Sequence, residues 1–168
     1  VLSASFNMAV TDDLLPETDE YVEMVLRNPS TGVSLGDDTL HIYTISDNDN
    51  ARDVAFTVAA SSSAESVGTV FFTILLSAVD PVNPVSVDYS VTGGSAQSGV
   101  DFNLADGTAV IPANQSFVTI PLSVTGDPFN EDDETIEISL SNPVNANLGV
   151  NRILLHTILS DDPVPGVG

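Results

Sequence analysis

Two-residue alternation of apolar and polar positions dominates this chain. In VSVDYSVTG, Val85, Val87, Tyr89 and Val91 fall on one face, and Ser86, Asp88, Ser90 and Thr92 on the other. ETIEISL repeats the pattern with Ile136, Ile138 and Leu140, and EYVEMVL with Val22, Met24 and Leu26. A period of two marks a strand with one face against a core, and helical spacing is nearly absent. Turn formers punctuate the runs in DPVNP, TGGSAQSG, NPVNANLG and NPSTGVSLG. The pattern predicts an all-β chain, an antiparallel β-sandwich of about seven strands. These strands are expected near 52–59, 67–77, 85–92, 107–111, 116–124, 134–141 and 151–160. Pro143 is expected to close the sixth, because proline cannot donate to a ladder.

The segment before residue 51 reads as part of the same unit. Sliding residues 10–33 onto 124–147 superposes Val10, Thr11, Asp13, Glu17, Asp19, Glu20, Glu23, Leu26, Asn28 and Pro29 on identical residues. After a gap of one residue, LG at 35–36 meets LG at 148–149, and TISDND meets TILSDD. Self-similarity at this spacing signals tandem domains. The expected organisation is 1–50, the C-terminal half of a preceding repeat with three strands; 51–163, a complete domain; and 164–168, a tail. Three strands cannot cover an apolar face formed by Phe6, Met8, Val10, Val22, Met24, Leu26 and Ile42. The half-unit is therefore expected to pack on the complete domain, on a neighbouring repeat, or on a second copy as a homodimer through residues 1–50.

Hydrophobic residues make up 42% and charged ones 16%, enough apolar content for a core and against global disorder. No apolar run reaches a membrane-spanning length. Charge changes the picture most. Twenty-four Asp and Glu face three arginines (Arg27, Arg52, Arg152) and no lysine, a formal net charge of −21. Such a field repels nucleic acid and anionic lipid, excluding nucleic-acid partners and direct membrane insertion, and attracts cations. With no cysteine, disulfides and thiolate sites are excluded. The absence of lysine and cysteine points to an extracellular or cell-surface protein of bacterial origin. Val1 opens no basic leader, so a targeting signal is expected to be removed or upstream.

In an antiparallel sandwich, alternate connections lie at the same end. One end collects Glu65, Asp101, Asp106, Asp127, Glu131, Asp132, Asp133, Glu134, Asp161 and Asp162, whereas the opposite end holds only Asp80. Two carboxylates 4–5 Å apart repel by about 3–4 kcal/mol at an effective dielectric near 20. A hard dication relieves the repulsion. Ca²⁺ accepts six to eight oxygens in irregular geometry, whereas Mg²⁺ demands a tighter octahedron.

ESVGTVFFTI, YSVTGGSAQSGVDF, TAVIPANQSFVTIPLSV, DPFNEDDETIEISLSNP and SDD stand in the order and spacing of the Calx-beta domain, which the chain resembles. This is the Ig-like module of sodium–calcium exchanger regulatory regions, integrin beta subunit tails and large extracellular adhesion proteins. The resemblance covers residues 51–162 in full and 1–50 as a half. It implies calcium ions held by Glu65, Asp101, Asp127, Glu131, Glu134, Asp161 and Asp162. The half-unit offers an incomplete second site from Asp12, Asp13, Glu17, Glu20, Asp47 and Asp49. Gly126 stands where the family's best calcium binders have Asp, and Pro163 where a third terminal Asp could stand. Both departures imply binding in the extracellular range, roughly 10⁻⁴–10⁻³ M.

The implied function is a calcium-stiffened tandem module of a larger surface protein, serving adhesion, interaction or spacing. A spacer without an ion is the alternative, and a carbohydrate-active accessory domain is a further one. No enzyme is expected: the acids crowd loop tips rather than facing each other across a cleft, and the chain has no Trp for sugar stacking. His41 and His156 read as half-buried strand residues one position out of register with each other. The run Ser61–Ser63 has no His–Asp partner pattern and reads as a turn. NQS at Asn114 is a glycosylation sequon on the acid-poor end, and Phe71–Phe72 reads as a pair with one ring in the core.

Overall fold

The structure, a computed structural model, describes residues 3–13, 16–49, 51–164 and 166. The chain divides into two compact units, residues 1–50 and 51–168.

The first unit holds two strands, β1 (Glu20–Val25) and β2 (Leu40–Ile45), paired antiparallel from Glu20↔Ile45 to Val25↔Leu40. The expected third strand is absent, and residues 3–10 take no regular structure among the described residues. The face formed by Val22 and Met24 is only half covered, and Phe6, Leu26 and Ile42 are exposed. An apolar groove of about 590 Å³ runs past Phe6, Met24, Leu26 and Leu40.

The second unit contains β3 (Asp53–Phe56), β4 (Ala60–Ala64), β5 (Thr69–Leu76), β6 (Val85–Gly94), β7 (Phe102–Asn103), β8 (Gly107–Ile111), β9 (Phe117–Val124), β10 (Glu134–Val144), β11 (Asn147–Leu148) and β12 (Ile153–Leu159). They form two five-stranded sheets, ordered β4-β12-β10-β6-β8 and β11-β3-β5-β9-β7. The alternation places Ile74 and Phe72 of β5, Ile120 and Leu122 of β9, Ile136 and Ile138 of β10, and Val85 and Val87 of β6 in one shared core. Among the described residues no helix is long and apolar enough to cross a membrane.

The expected first strand, 52–59, holds only β3, and a further strand, β4, follows it. β3 pairs with β5, whereas β4 pairs in parallel with β12 of the other sheet. Ser61–Ser63 is therefore strand rather than turn. ASSSA has none of the β-branched or aromatic residues that favour strands, and it pairs only with its parallel neighbour. Pro143 does not end β10 either. The ladder shifts between Ser141 and Val144 and resumes at Val144↔Ser86, so the proline sits in a bulge, where no N–H is required.

The two units share pairing and backbone. Glu20↔Ile45 and Val25↔Leu40 correspond to Glu134↔Ile158 and Ser139↔Ile153. Asn28 and Asn142, each before a proline, both take positive φ, 53° and 48°. β9, the counterpart of residues 3–10, is held between β5 and β7. The described residues of the first unit include no equivalent of β5, so the missing third strand lacks a ladder partner. In this register Leu154, not His156, corresponds to His41, since Met24 pairs with His41 as Ile138 pairs with Leu154. The histidines are two positions apart rather than one.

Candidate metal centre

Four acidic side chains reach one open cavity of about 380 Å³ at an end of the second unit. Glu65 comes from the 3-10 turn Glu65–Val67 after β4, Asp127 from the loop after β9, and Asp161 and Asp162 from the exit of β12. Parallel pairing of β4 with β12 explains the meeting. Their last register pair is Leu159↔Ala64, so Glu65 and the terminal aspartates leave the sheet side by side. Ser66 donates a hydrogen bond to Asp161 Oδ2, and the Asp127 carboxylate folds back on the Phe129 N–H at 2.8 Å.

Glu65 is only 6% exposed. Its Oε1 and Oδ2 of Asp162 are buried with no hydrogen-bond partner. Two carboxylates facing each other offer only acceptors, so a proton, a water or a cation has to bridge them. The Glu65 pKa is pushed up to about 7, first because a proton held by Glu65 can bridge to the Asp162 carboxylate, then by burial, then by the charges of Asp162, Asp161 and Asp127.

The remaining predicted acids form a second group. Carboxylate oxygens of Asp101, Glu131 and Glu134 all lie within 4.8 Å of one another. Burial, then the hydrogen bond and charge of Asp101, then the charge of Glu131 hold Glu134 above the usual carboxyl range. The glycine-rich loop delivers Asp101. Gly94 takes φ 118°, and a Cβ there would lie 2.1 Å from the Thr135 carbonyl oxygen. That close approach lets Ala96 N–H bond the same carbonyl at 3.0 Å and brings the loop against the start of β10. Asp101 Oδ2 then accepts from Gln97 N–H at 2.6 Å, while Asp101 carbonyl accepts from Thr125 N–H at 2.8 Å.

The seven residues expected to act as one cluster thus stand as four around a cavity and three in a tight triad. Among the described residues no three of the cavity group come within the triad's 4.8 Å span. Asp106 and Asp133 belong to neither group: Asp106 accepts from Val91 N–H, and Asp133 accepts from Ser160 N–H. A Cβ at Gly126 would sit 3.1 Å from the Glu65 carbonyl oxygen, so the backbone here passes closer than a side chain allows without adjustment.

The acidic loops of the two units are stitched alike. Glu131 N–H meets Ser160 Oγ at 3.3 Å and Ser160 N–H meets Asp133 at 3.2 Å. At the matching positions Glu17 N–H meets Asp47 at 3.0 Å, and Asp47 N–H meets Asp19 at 3.1 Å. Asp47 also accepts from Asp49 N–H. Asp12, Asp13 and Glu20 are exposed, and the described residues of the first unit supply no triad of the tight kind.

His156 is wholly buried rather than half-buried, with Nδ1 2.9 Å from Ser61 Oγ and Nε2 3.1 Å from Ser63 Oγ. Arg52, at the other end of the sandwich, forms a buried ion pair with Asp80 at 3.6 Å. Burial pushes the Asp80 pKa up, but the N–H groups of Asn83 and Val82 and the Arg52 charge outweigh it and hold the carboxyl below its usual range. Nothing in local spacing links residues so far apart. In the aromatic pair, Phe72 enters the core and Phe71 is exposed.

Residues 47–161 match the Calx-beta domain. The chain is similar to adhesion G-protein coupled receptor V1 of Danio rerio, 27% identical over 171 residues that cover 94% of this chain and 3% of that protein. It is also similar to sodium/calcium exchanger 1 of Felis catus, 31% identical over 98 residues that cover 58% of this chain and 10% of that protein. It thus spans a small part of either relative. Its fold is similar to the crystal structure of the calcium binding domain CBD12 of CALX1.1, with TM-score 0.61 and 27% identity over 65% of this chain and 44% of that one. The chain belongs to the Calx-beta domain family.

Proposed function

We propose that residues 51–163 form a calcium-binding domain whose ions sit at the acidic end, and that the chain is a non-catalytic tandem module of a larger protein. Glu65, Asp127, Asp161 and Asp162 would hold one ion, and Asp101, Glu131 and Glu134 another. The observation that carries this reading is the pair of buried, partnerless oxygens on Glu65 and Asp162. The donor set agrees: every candidate is a hard oxygen, as Ca²⁺ prefers. A bound ion would tie the turn after β4, the loop after β9 and the exit of β12 together, which stiffens that end of the sandwich.

Residues 1–50 fit this reading as part of a neighbouring repeat, supported by the shared register and loop stitching. A homodimer through its open hairpin is the second reading, favoured by the uncovered Phe6–Leu40 groove. An extracellular or cell-surface setting with an adhesion or spacing role is supported by the acidic surface and by the similarity to an adhesion receptor. Calorimetric titration of the chain with CaCl₂, beside Asp127→Ala and Asp101→Asn, tests the proposal. Heat in the wild type with a separate loss in each variant supports two sites. Absence of heat in all three refutes it.

A further inference from the structure

We infer that His156 is a positioning residue for the cation site: clamped between Ser61 and Ser63, it fixes β4 on β12 and so sets Glu65 beside Asp161 and Asp162. This rests on reading that end of the domain as a calcium site. A neutral imidazole has one donor and one acceptor nitrogen, so one serine hydroxyl accepts from the ring and the other donates to it. Both ring nitrogens are therefore satisfied in a wholly buried position, 2.9 Å and 3.1 Å from their partners. The ring also meets Phe72 edge-on, with centroids 5.2 Å apart.

β4 needs such a clamp. It is an edge strand joined only to β12, and its ASSSA sequence has no large apolar side chain to anchor it. Ser61 and Ser63 share the inward face, with Ser62 outward between them. A slip of one residue would turn both clamp hydroxyls away from the ring and carry Glu65 about 3.3 Å along the strand, out of reach of Asp162. The ring's hydrogen-bond and aromatic partners are neutral, Ser61 and Ser63 from β4 and Phe72 from β5, and its register partner on β10 is Ile136. The closest carboxylates along those strands are Glu137, next to Ile136 but on the opposite face, where it accepts from Thr92, and Glu65 and Glu134, two residues beyond Ser63 and Ile136. Burial holds the His156 pKa below its ordinary value, in keeping with a neutral ring. The Asp101–Glu131–Glu134 triad hangs on the glycine-rich loop and β10, not on β4, and serves as an internal control.

The test is a CaCl₂ titration followed by NMR of the Glu65 and Glu134 carboxyl carbons, with amide exchange of residues 61–64, in wild type, Ser63→Ala, Ser63→Thr and His156→Phe. Ser63→Ala should weaken calcium at Glu65 about fivefold, the worth of one hydrogen bond, and speed exchange in β4. It should leave the Glu134 response unchanged. Ser63→Thr, which keeps the hydroxyl, should restore both. His156→Phe should behave as Ser63→Ala, and if it does not fold, the serine pair of variants decides alone. Wild-type affinity in Ser63→Ala, no restoration by Ser63→Thr, or equal weakening at both carboxyl groups would overturn the inference. A wild type whose carboxyl signals ignore calcium would overturn the calcium reading itself and this inference with it.

Discussion

Glu65 and Asp162 face each other at the end of the sandwich with a buried oxygen apiece and no donor between them. They are nearly a hundred residues apart in sequence, yet two parallel strands, β4 and β12, end level and leave them together. In the apo protein this contact is unfavourable, so removing the charge should stabilise the fold while damaging ion binding. In Glu65→Gln the side-chain amide can donate to Asp162. The calcium-free protein should melt higher by about 3–6 °C at neutral pH, the equivalent of about 1–2 kcal/mol. Its calcium affinity should fall at least about tenfold, on the order of 1.4 kcal/mol. Differential scanning calorimetry with and without chelator measures both.

The pH dependence follows from two buried groups with opposed slopes. The folded pKa of Glu65 is raised from 4.5 to about 7, so its contribution is fully present below pH 4.5 and lost as pH rises through 7. The folded pKa of His156 is lowered by burial, so its contribution is present above its ordinary value of 6.5 and lost as pH falls. Without calcium, the stability of Glu65→Gln relative to wild type should therefore rise as pH goes from 5 to 7, and that of His156→Phe relative to wild type should fall. Saturating calcium should raise the melting temperature more at pH 8 than at pH 5, because at acid pH the ion must displace a proton. Melting curves across this range check all three statements.

The Arg52–Asp80 pair separates fold stability from ion binding. Both side chains are buried, 5% and 3% exposed, at the end of the sandwich remote from the acids. Asp80→Ala strips the N–H groups of Val82 and Asn83 of their acceptor and leaves the buried guanidinium without its carboxylate. A loss of about 3 kcal/mol is expected, with calcium affinity unchanged wherever the variant is folded. Urea unfolding and titration on the same samples provide the comparison.

Gly94 gives the converse case. A Cβ there would collide with the Thr135 carbonyl oxygen at 2.1 Å, and φ of 118° is costly for any L side chain. Gly94→Ala should displace the loop that carries Asp101. It should weaken calcium at the triad more than at Glu65, and cost about 2–3 kcal/mol of stability. Carboxyl-carbon NMR resolves the two responses.

Much of this architecture is legible in the sequence, for identifiable reasons. Residues such as Ile136, Ile138 and Leu140 announce a half-buried strand by period alone, and a strict up-and-down order then sends the acids of alternate loops to one end. What alternation cannot show is a strand that changes sheets. Ser61–Ser63 looks like a turn because its partner, His156, lies on a parallel strand ninety-odd residues away. Pro143 looks like a strand end because a bulge depends on how the ladder closes around it. The division of seven acids into a cavity group and a triad was equally hidden. It arises from the 3-10 turn at Glu65 and the close passage of Gly94, both set by packing.

The most direct test of the calcium reading is a crystal structure of residues 51–163 grown in millimolar calcium chloride. The account predicts an electron-density peak between Glu65 and Asp162, with carboxylate oxygens at about 2.3–2.6 Å and an anomalous signal fitting calcium. An ordered site in which the two carboxyl groups instead touch across a shared proton, with no peak between them, would contradict it.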